Sequence, residues 1–130
     1  MAQPDTSFGL ARIGQIAVTV GNLERAVTFY RDTLGMRHLF SVPNMAFFDC
    51  CGVRLMLGLA EGGTGERFNS LLYYKVADIQ SVFTTLSERG VKFEQPPHFV
   101  AKMPDHDLWI GFFRDVDGNL TGLMSEVARP

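Results

Sequence analysis

Cysteine is nearly missing, and the two that occur, Cys50 and Cys51, are neighbours. A disulfide between adjacent residues is strained and closes almost no loop, so it would add little stability. No CxxC spacing is present, which excludes the usual thiol-metal and redox motifs. Two free thiols in a cytoplasmic protein are the expectation. Long apolar runs are missing too: nothing approaches the ~18 residues of a bilayer span, so no membrane partner is expected. The opening MAQPDTSFGLAR has neither a basic start nor an apolar stretch. It does not read as a secretory signal, and Met1 to Ser7 is expected to be a loose tail. Excess positive charge is absent as well. The net charge is −2, with no basic cluster, which speaks against a nucleic-acid partner. There is no GxxxxGK[ST] and no Gly-x-Ser-x-Gly, so neither a phosphate loop nor a nucleophile elbow is in view.

What remains is a chain of 130 residues, 46% of them hydrophobic, which is enough for one domain with a real core. Its organisation is a repeat. Val20-Gly-Asn-Leu and Val76-Ala-Asp-Ile each open a segment, and Asn22 and Asp78 are both good helix N-caps. After Asn22, apolar residues fall at Leu23, Ala26, Val27, Tyr30 and Leu34. After Asp78 they fall at Ile79, Val82, Phe83 and Leu86. Both sets have helical spacing, and both end at a glycine, Gly35 or Gly90. Strand-like runs precede the helices at Gln15 to Val20 and Leu71 to Val76. Three more are predicted after each helix: Met36 to Val42, Met45 to Cys50 and Val53 to Leu57, then Val91 to Glu94, Trp109 to Arg114 and Leu120 to Met124. The expectation is an α+β fold of two tandem βαβββ modules, one at about 10–59 and one at about 70–127. The Gly-rich stretch at 60–69 reads as their linker. Two such mixed sheets can pair into a concave cup with the helices outside, the default place for a small-molecule site.

Three stretches carry a resemblance: VGNLERAVTFYRDTLGM (Val20 to Met36), DIQSVFTTLSERGV (Asp78 to Val91) and FFRDVDGNLTGLMSE (Phe112 to Glu126). Together they resemble the vicinal-oxygen-chelate superfamily, the group of glyoxalase I, bleomycin-resistance proteins and extradiol dioxygenases. Metal-dependent members carry four inward-facing ligands, typically His, Glu or Gln, His and Glu. The resemblance puts the corresponding positions at Gln15, Met56, Leu71 and Gly122. Of these only Gln15 offers an oxygen. Met56 is a soft, weak ligand, and Leu71 and Gly122 have no donor. A divalent ion usually needs at least three protein ligands, so no metal and no cofactor are expected at the usual place.

Strand alternation would then set Arg54, Tyr73, Leu120 and Met124 beside those positions. Met and aromatic side chains suit an apolar or aromatic guest, with Gln15, Arg54 and Tyr73 to orient it. An inward Arg54 calls for a carboxylate or phosphate partner, which a ligand could supply. The plainer alternatives stay open: Met56, Leu71 and Met124 as core, Arg54 at the solvent, Tyr73 as structural. The second candidate is PPHFVAKMPDHDLW, Pro96 to Trp109. It reads as a solvated loop, or as a general acid or base in His98 or His106 beside the carboxylates of Asp105 and Asp107 with Trp109 as a stacking platform, or as an unusual metal site built from the two histidines and two carboxylates. His38 reads as structural. The functional expectation is a metal-free glyoxalase-like protein that binds a small, partly apolar molecule, as a homodimer. The alternative is a lyase, isomerase, epimerase or dioxygenase of the same superfamily.

Overall fold

Two short polar side chains start the two helices. Asn22 Oδ1 accepts from the Arg25 N–H at 2.9 Å and opens α1 (Leu23–Thr28). Asp78 Oδ1 accepts from the Ser81 N–H at 3.1 Å and opens α2 (Ile79–Glu88). Each cap satisfies an N–H that the first helical turn leaves without a partner. Both segments end where φ turns positive, +74° at Gly35 and +91° at Gly90. A side chain is disfavoured in that conformation, and glycine is not. One feature departs from the sequence reading: after Thr28 the helix widens into a π-helical turn, Phe29–Thr33. The Leu34 N–H reaches back five residues to the Phe29 carbonyl at 2.9 Å.

These coordinates, a computed structural model, describe Leu10, residues 12–59 and residues 70–129. The expected tail and the expected linker at 60–69 lie outside the described residues. The strands are β1 (Gln15–Val20), β2 (Arg37–Val42), β3 (Met45–Cys50), β4 (Val53–Leu59), β5 (Leu72–Lys75), β6 (Phe93–Lys102), β7 (His106–Arg114) and β8 (Leu120–Ala128). They form two four-stranded sheets, ordered β1-β4-β3-β2 and β5-β8-β7-β6. In each, the first strand runs parallel to the last and the other neighbours are antiparallel. This is βαβββ twice over, the α+β architecture expected from the repeat.

The second sheet runs further than expected. The stretch read as a loop from Pro96 onward belongs to β6 and β7, and only Met103–Asp105 turns between them. Pro96 and Pro97 are tolerated because β6 is an edge strand, where a missing N–H breaks no inner ladder. Its register shifts three times against β7. Such bulges are a common way for an edge to absorb irregular residues.

One face of each sheet packs on its helix. Val18, Val20, Ala46, Phe48, Leu55 and Leu57 bury against Ala26 and Tyr30. Phe113 buries with Leu86 and Val91 of the second module. Phe29 and Leu34, at the π-helical turn and its end, pack against both clusters, and Leu72 joins the first from across the seam. The modules therefore meet on the helix side of their sheets.

The Asp115–Asn119 turn locks that seam. Buried Asp115 accepts from the Asp117 and Asn119 N–H groups, both at 2.9 Å, and from Asn119 Nδ2 at 2.8 Å. It also takes the Tyr30 hydroxyl of the other module at 2.8 Å. Burial, reinforced by the Asp115 charge, pushes the Tyr30 phenol far above its ordinary range. Asp117 Oδ1 accepts from the Gly21 N–H at 2.7 Å and from Arg25 Nη2 at 3.3 Å. A Cβ at Gly21 would sit 3.0 Å from that oxygen, so glycine is what lets the carboxylate close in. Arg89 crosses the seam the other way, donating to the Thr33 carbonyl at 2.8 Å.

Candidate functional site

The sheet faces turned away from the helices carry most of the residues singled out in the sequence. On the first sheet, Gln15 lies opposite Arg54 and Ala17 opposite Met56. Gln15 Nε2 approaches Met56 Sδ at 3.7 Å. The Arg54 guanidinium sits 5.7 Å from the centroid of the Phe47 ring, and Phe47 packs on Phe40 at 4.8 Å. Its direct cross-strand neighbour is Asp49, whose Oδ1 accepts from the Gly52 N–H at 3.2 Å. Among the described residues no acidic side chain pairs with Arg54. The result is an exposed cation lying on an aromatic surface, with an amide beside it.

On the second sheet, Tyr73 lies opposite Gly122, and Phe112 flanks Gly122 from the other side. The Tyr73 and Phe112 rings meet edge to face with centroids 5.8 Å apart. A Cβ built on Gly122 would fall 2.6 Å from Tyr73 Cδ2 and 2.9 Å from Cε2. The Tyr73 ring therefore lies over Gly122. The place where the resemblance implies a carboxylate is covered by an aromatic ring. Leu71, the position the resemblance aligned with the third ligand, stands one residue before β5 and is 39% exposed. The side chain that meets Gly122 is Tyr73. Met124 is on the same face, opposite Ile110 and Lys75.

The fit of a divalent metal can be judged from this donor set. Gln15 offers one amide and Met56 one thioether, and Gly122 lies beneath an aromatic ring. Such a set lacks the three nitrogen or oxygen ligands a borderline cation needs. Among the described residues there is no group of three or more His, Cys, Asp or Glu side chains that could hold a metal ion. The residues present do not fit the metal that the resemblance implies.

The two histidines are separated. His98 pairs with Ile110, while His106 opens β7 opposite Ala128. Ile110 stands four positions along β7 from His106, which corresponds to roughly 13 Å. His98 Nδ1 is 3.0 Å from the Pro96 carbonyl. His106 sits in a charged chain: its Nδ1 is 2.6 Å from Asp105 Oδ1, its Nε2 is 3.8 Å from Glu126 Oε2, and Glu126 Oε1 is 2.8 Å from Lys75 Nζ. The hydrogen bond from Lys75 holds the Glu126 carboxyl below its ordinary range, and that from His106 does the same for Asp105. Trp109 is elsewhere. It shares the helix side of its sheet with Phe113, meets Phe99 at 6.3 Å, and lines a groove at the start of α2 with Ile79 and Val127. Alternation from buried Phe113 would have placed it there.

The sequence reading missed Phe47 and Phe40, the aromatic floor under Arg54. The signal available was the alternation of Met45 and Phe47 with Ala46 and Phe48 in β3, which puts one pair on each face. It also assigned His38 no partner. A bulge between His38 and Phe40 brings Ser41 onto the same face, and its Oγ is 2.9 Å from His38 Nε2.

A family model described as the Glyoxalase/Bleomycin resistance protein/Dioxygenase superfamily matches residues 12–123. Among solved structures, a member of the same superfamily from Sphaerobacter thermophilus is 31% identical, with a TM-score of 0.71, covering 90% of this chain and 98% of its own. The uncharacterized protein YraH of Bacillus subtilis is 30% identical over 125 residues, covering 82% of this chain and 91% of its own. A lactoylglutathione lyase from Agrobacterium tumefaciens is 19% identical with a TM-score of 0.68, covering 88% of this chain and 93% of its own. That last likeness shows the fold alone.

Proposed function

The chain belongs to the glyoxalase/bleomycin resistance protein/dioxygenase superfamily, and from that premise we propose that it binds a small, partly aromatic molecule without a metal ion. The observation that carries the reading is the Tyr73 ring over Gly122. An aromatic face in place of a ligand exchanges affinity for a cation for affinity for an apolar or π-bearing guest. Arg54 on Phe47, with Gln15 beside it, favours a guest that also carries a carboxylate or phosphate. Met56 and Met124 supply adaptable apolar contact.

A second copy of the chain is the proposed cover. Phe40 is 47% exposed, Tyr73 45% and Val42 39%, all on the outer faces. Large apolar side chains exposed on a sheet face are commonly buried by a partner. A homodimer that lays one outer face against another would turn two open surfaces into a cup. The free thiols of Cys50 and Cys51 suit a cytoplasmic setting.

Isothermal titration with aromatic carboxylates, in chelator, tests the proposal. Binding that is lost in Tyr73→Ala and weakened at least tenfold in Arg54→Ala supports it. Silence across a broad panel counts against it. Light scattering of the eluting protein tests the dimer, and a monomer at working concentration removes that part.

One observation favours a second, catalytic reading. His106 stands between Asp105 and Glu126, an arrangement that can hold a proton or pass one on. On this reading the protein is an acid–base lyase or isomerase, with His106 as the proton carrier and His98 too far away to share the work. Turnover abolished in His106→Gln, with guest binding intact, would establish it.

A further inference from the structure

The seam between the modules contains two neighbouring pockets, one of which borders the outer-face site at Tyr73. One, of about 120 Å³, is lined by Leu34, Met36, Val82, Leu86, Phe113 and Leu123. The other, of about 170 Å³, is lined by Ile16, Cys50, Val53, Leu55, Leu72 and Tyr73. Tyr74 borders both. Burial pushes its phenol well above the ordinary range, so the ring stays neutral at physiological pH.

We propose that this seam is a second binding site, for an uncharged guest of benzene to short-alkyl size. The walls are nearly all hydrocarbon. An ordered water needs two to four polar partners, and a charged guest would lose its hydration without replacement. An apolar space of roughly 150 Å³ is large enough to admit benzene or xenon, and the two pockets here, each partly open to solvent, bracket that size. Residues of both modules line each cavity, so a guest adds dispersion contacts that span the seam. Occupancy therefore ties the modules together and stabilises the fold by mass action.

The test uses the full chain. Crystals under xenon pressure should show a peak in the seam, and in an Arg54→Ala background, where the outer-face site is weakened, benzene should raise the melting temperature by a few degrees and benzoate should not. Val82→Phe, which fills the smaller cavity from its rim, should abolish the benzene response. Arg54→Ala, on the outer face, should leave it unchanged. A xenon map empty in the seam overturns the proposal, as does a benzene response that survives Val82→Phe. If that variant does not fold, the xenon map of the unaltered protein decides alone.

Discussion

Gly122→Ala is a one-methyl change whose effect should reverse sign with its neighbour. The new Cβ would lie 2.6 Å from Tyr73 Cδ2, inside any real contact distance. The clash is with a side chain, and Tyr73 is 45% exposed, so the ring can swing outward. Overpacking of this kind costs about 1–3 kcal/mol, and the mobile neighbour puts the cost near the lower end, about 1.5. The Gly122 backbone is not among the glycines with positive φ, so alanine brings no backbone strain. In a Tyr73→Ala background the clash is gone. There the same methyl should stabilise by about 0.5 kcal/mol, because alanine loses less conformational freedom in a strand than glycine. The coupling between the two positions should thus be about 2 kcal/mol. Urea titrations of the four proteins, followed by far-ultraviolet circular dichroism, measure it. Additivity within about 0.5 kcal/mol would refute the ring-over-glycine geometry.

Other outcomes follow from the seam and the charged chain. Tyr30 ionises near 10.0 when unfolded and higher when folded. Its contribution to stability is therefore full below pH 10 and falls as the pH rises beyond it. Tyr30→Phe should cost about 2 kcal/mol near neutral pH, from a hydrogen bond to a charged group, and should flatten the alkaline decline seen by thermal melts. Asp115→Ala removes the acceptor of four hydrogen bonds at a buried turn. It should destabilise by about 3 kcal/mol or more in denaturant titrations, the largest effect of any turn residue. Glu126 is held below its ordinary 4.5 by Lys75. That contribution is present above pH 4.5 and is lost as pH falls through the lower folded value. Lys75→Met should remove it, and high salt should mask the difference, since the pair is exposed.

The repeat was readable because it rests on local chemistry. Asn22 and Asp78 cap, Gly35 and Gly90 stop, and the apolar spacing between them is helical, all properties of short segments. The π-helical turn at Phe29 was not readable, since it follows from packing between modules. Pro96 and Pro97 argued for a loop, and edge position in the sheet overrode them. At the candidate site, strand alternation put Gln15 and Met56 on one sheet face and Tyr73, Gly122 and Met124 on the other sheet's corresponding face, as the register has them. It could not show that Tyr73 rather than Leu71 meets Gly122, or that its ring closes the space. A glycine in an inner strand facing an aromatic on its neighbour is the pattern that would have suggested it. His98 and His106 looked close because they are close in sequence. The β6–β7 register separates them, and the register depends on three bulges that no single residue announces.

These outer faces present rings and thioethers where the resemblance implies metal ligands. Calorimetric titration of zinc, nickel and manganese into protein dialysed free of chelator addresses this most directly. The account predicts no tight stoichiometric site for any of the three. One equivalent of cation bound tightly, and released by Gln15→Leu, would contradict it.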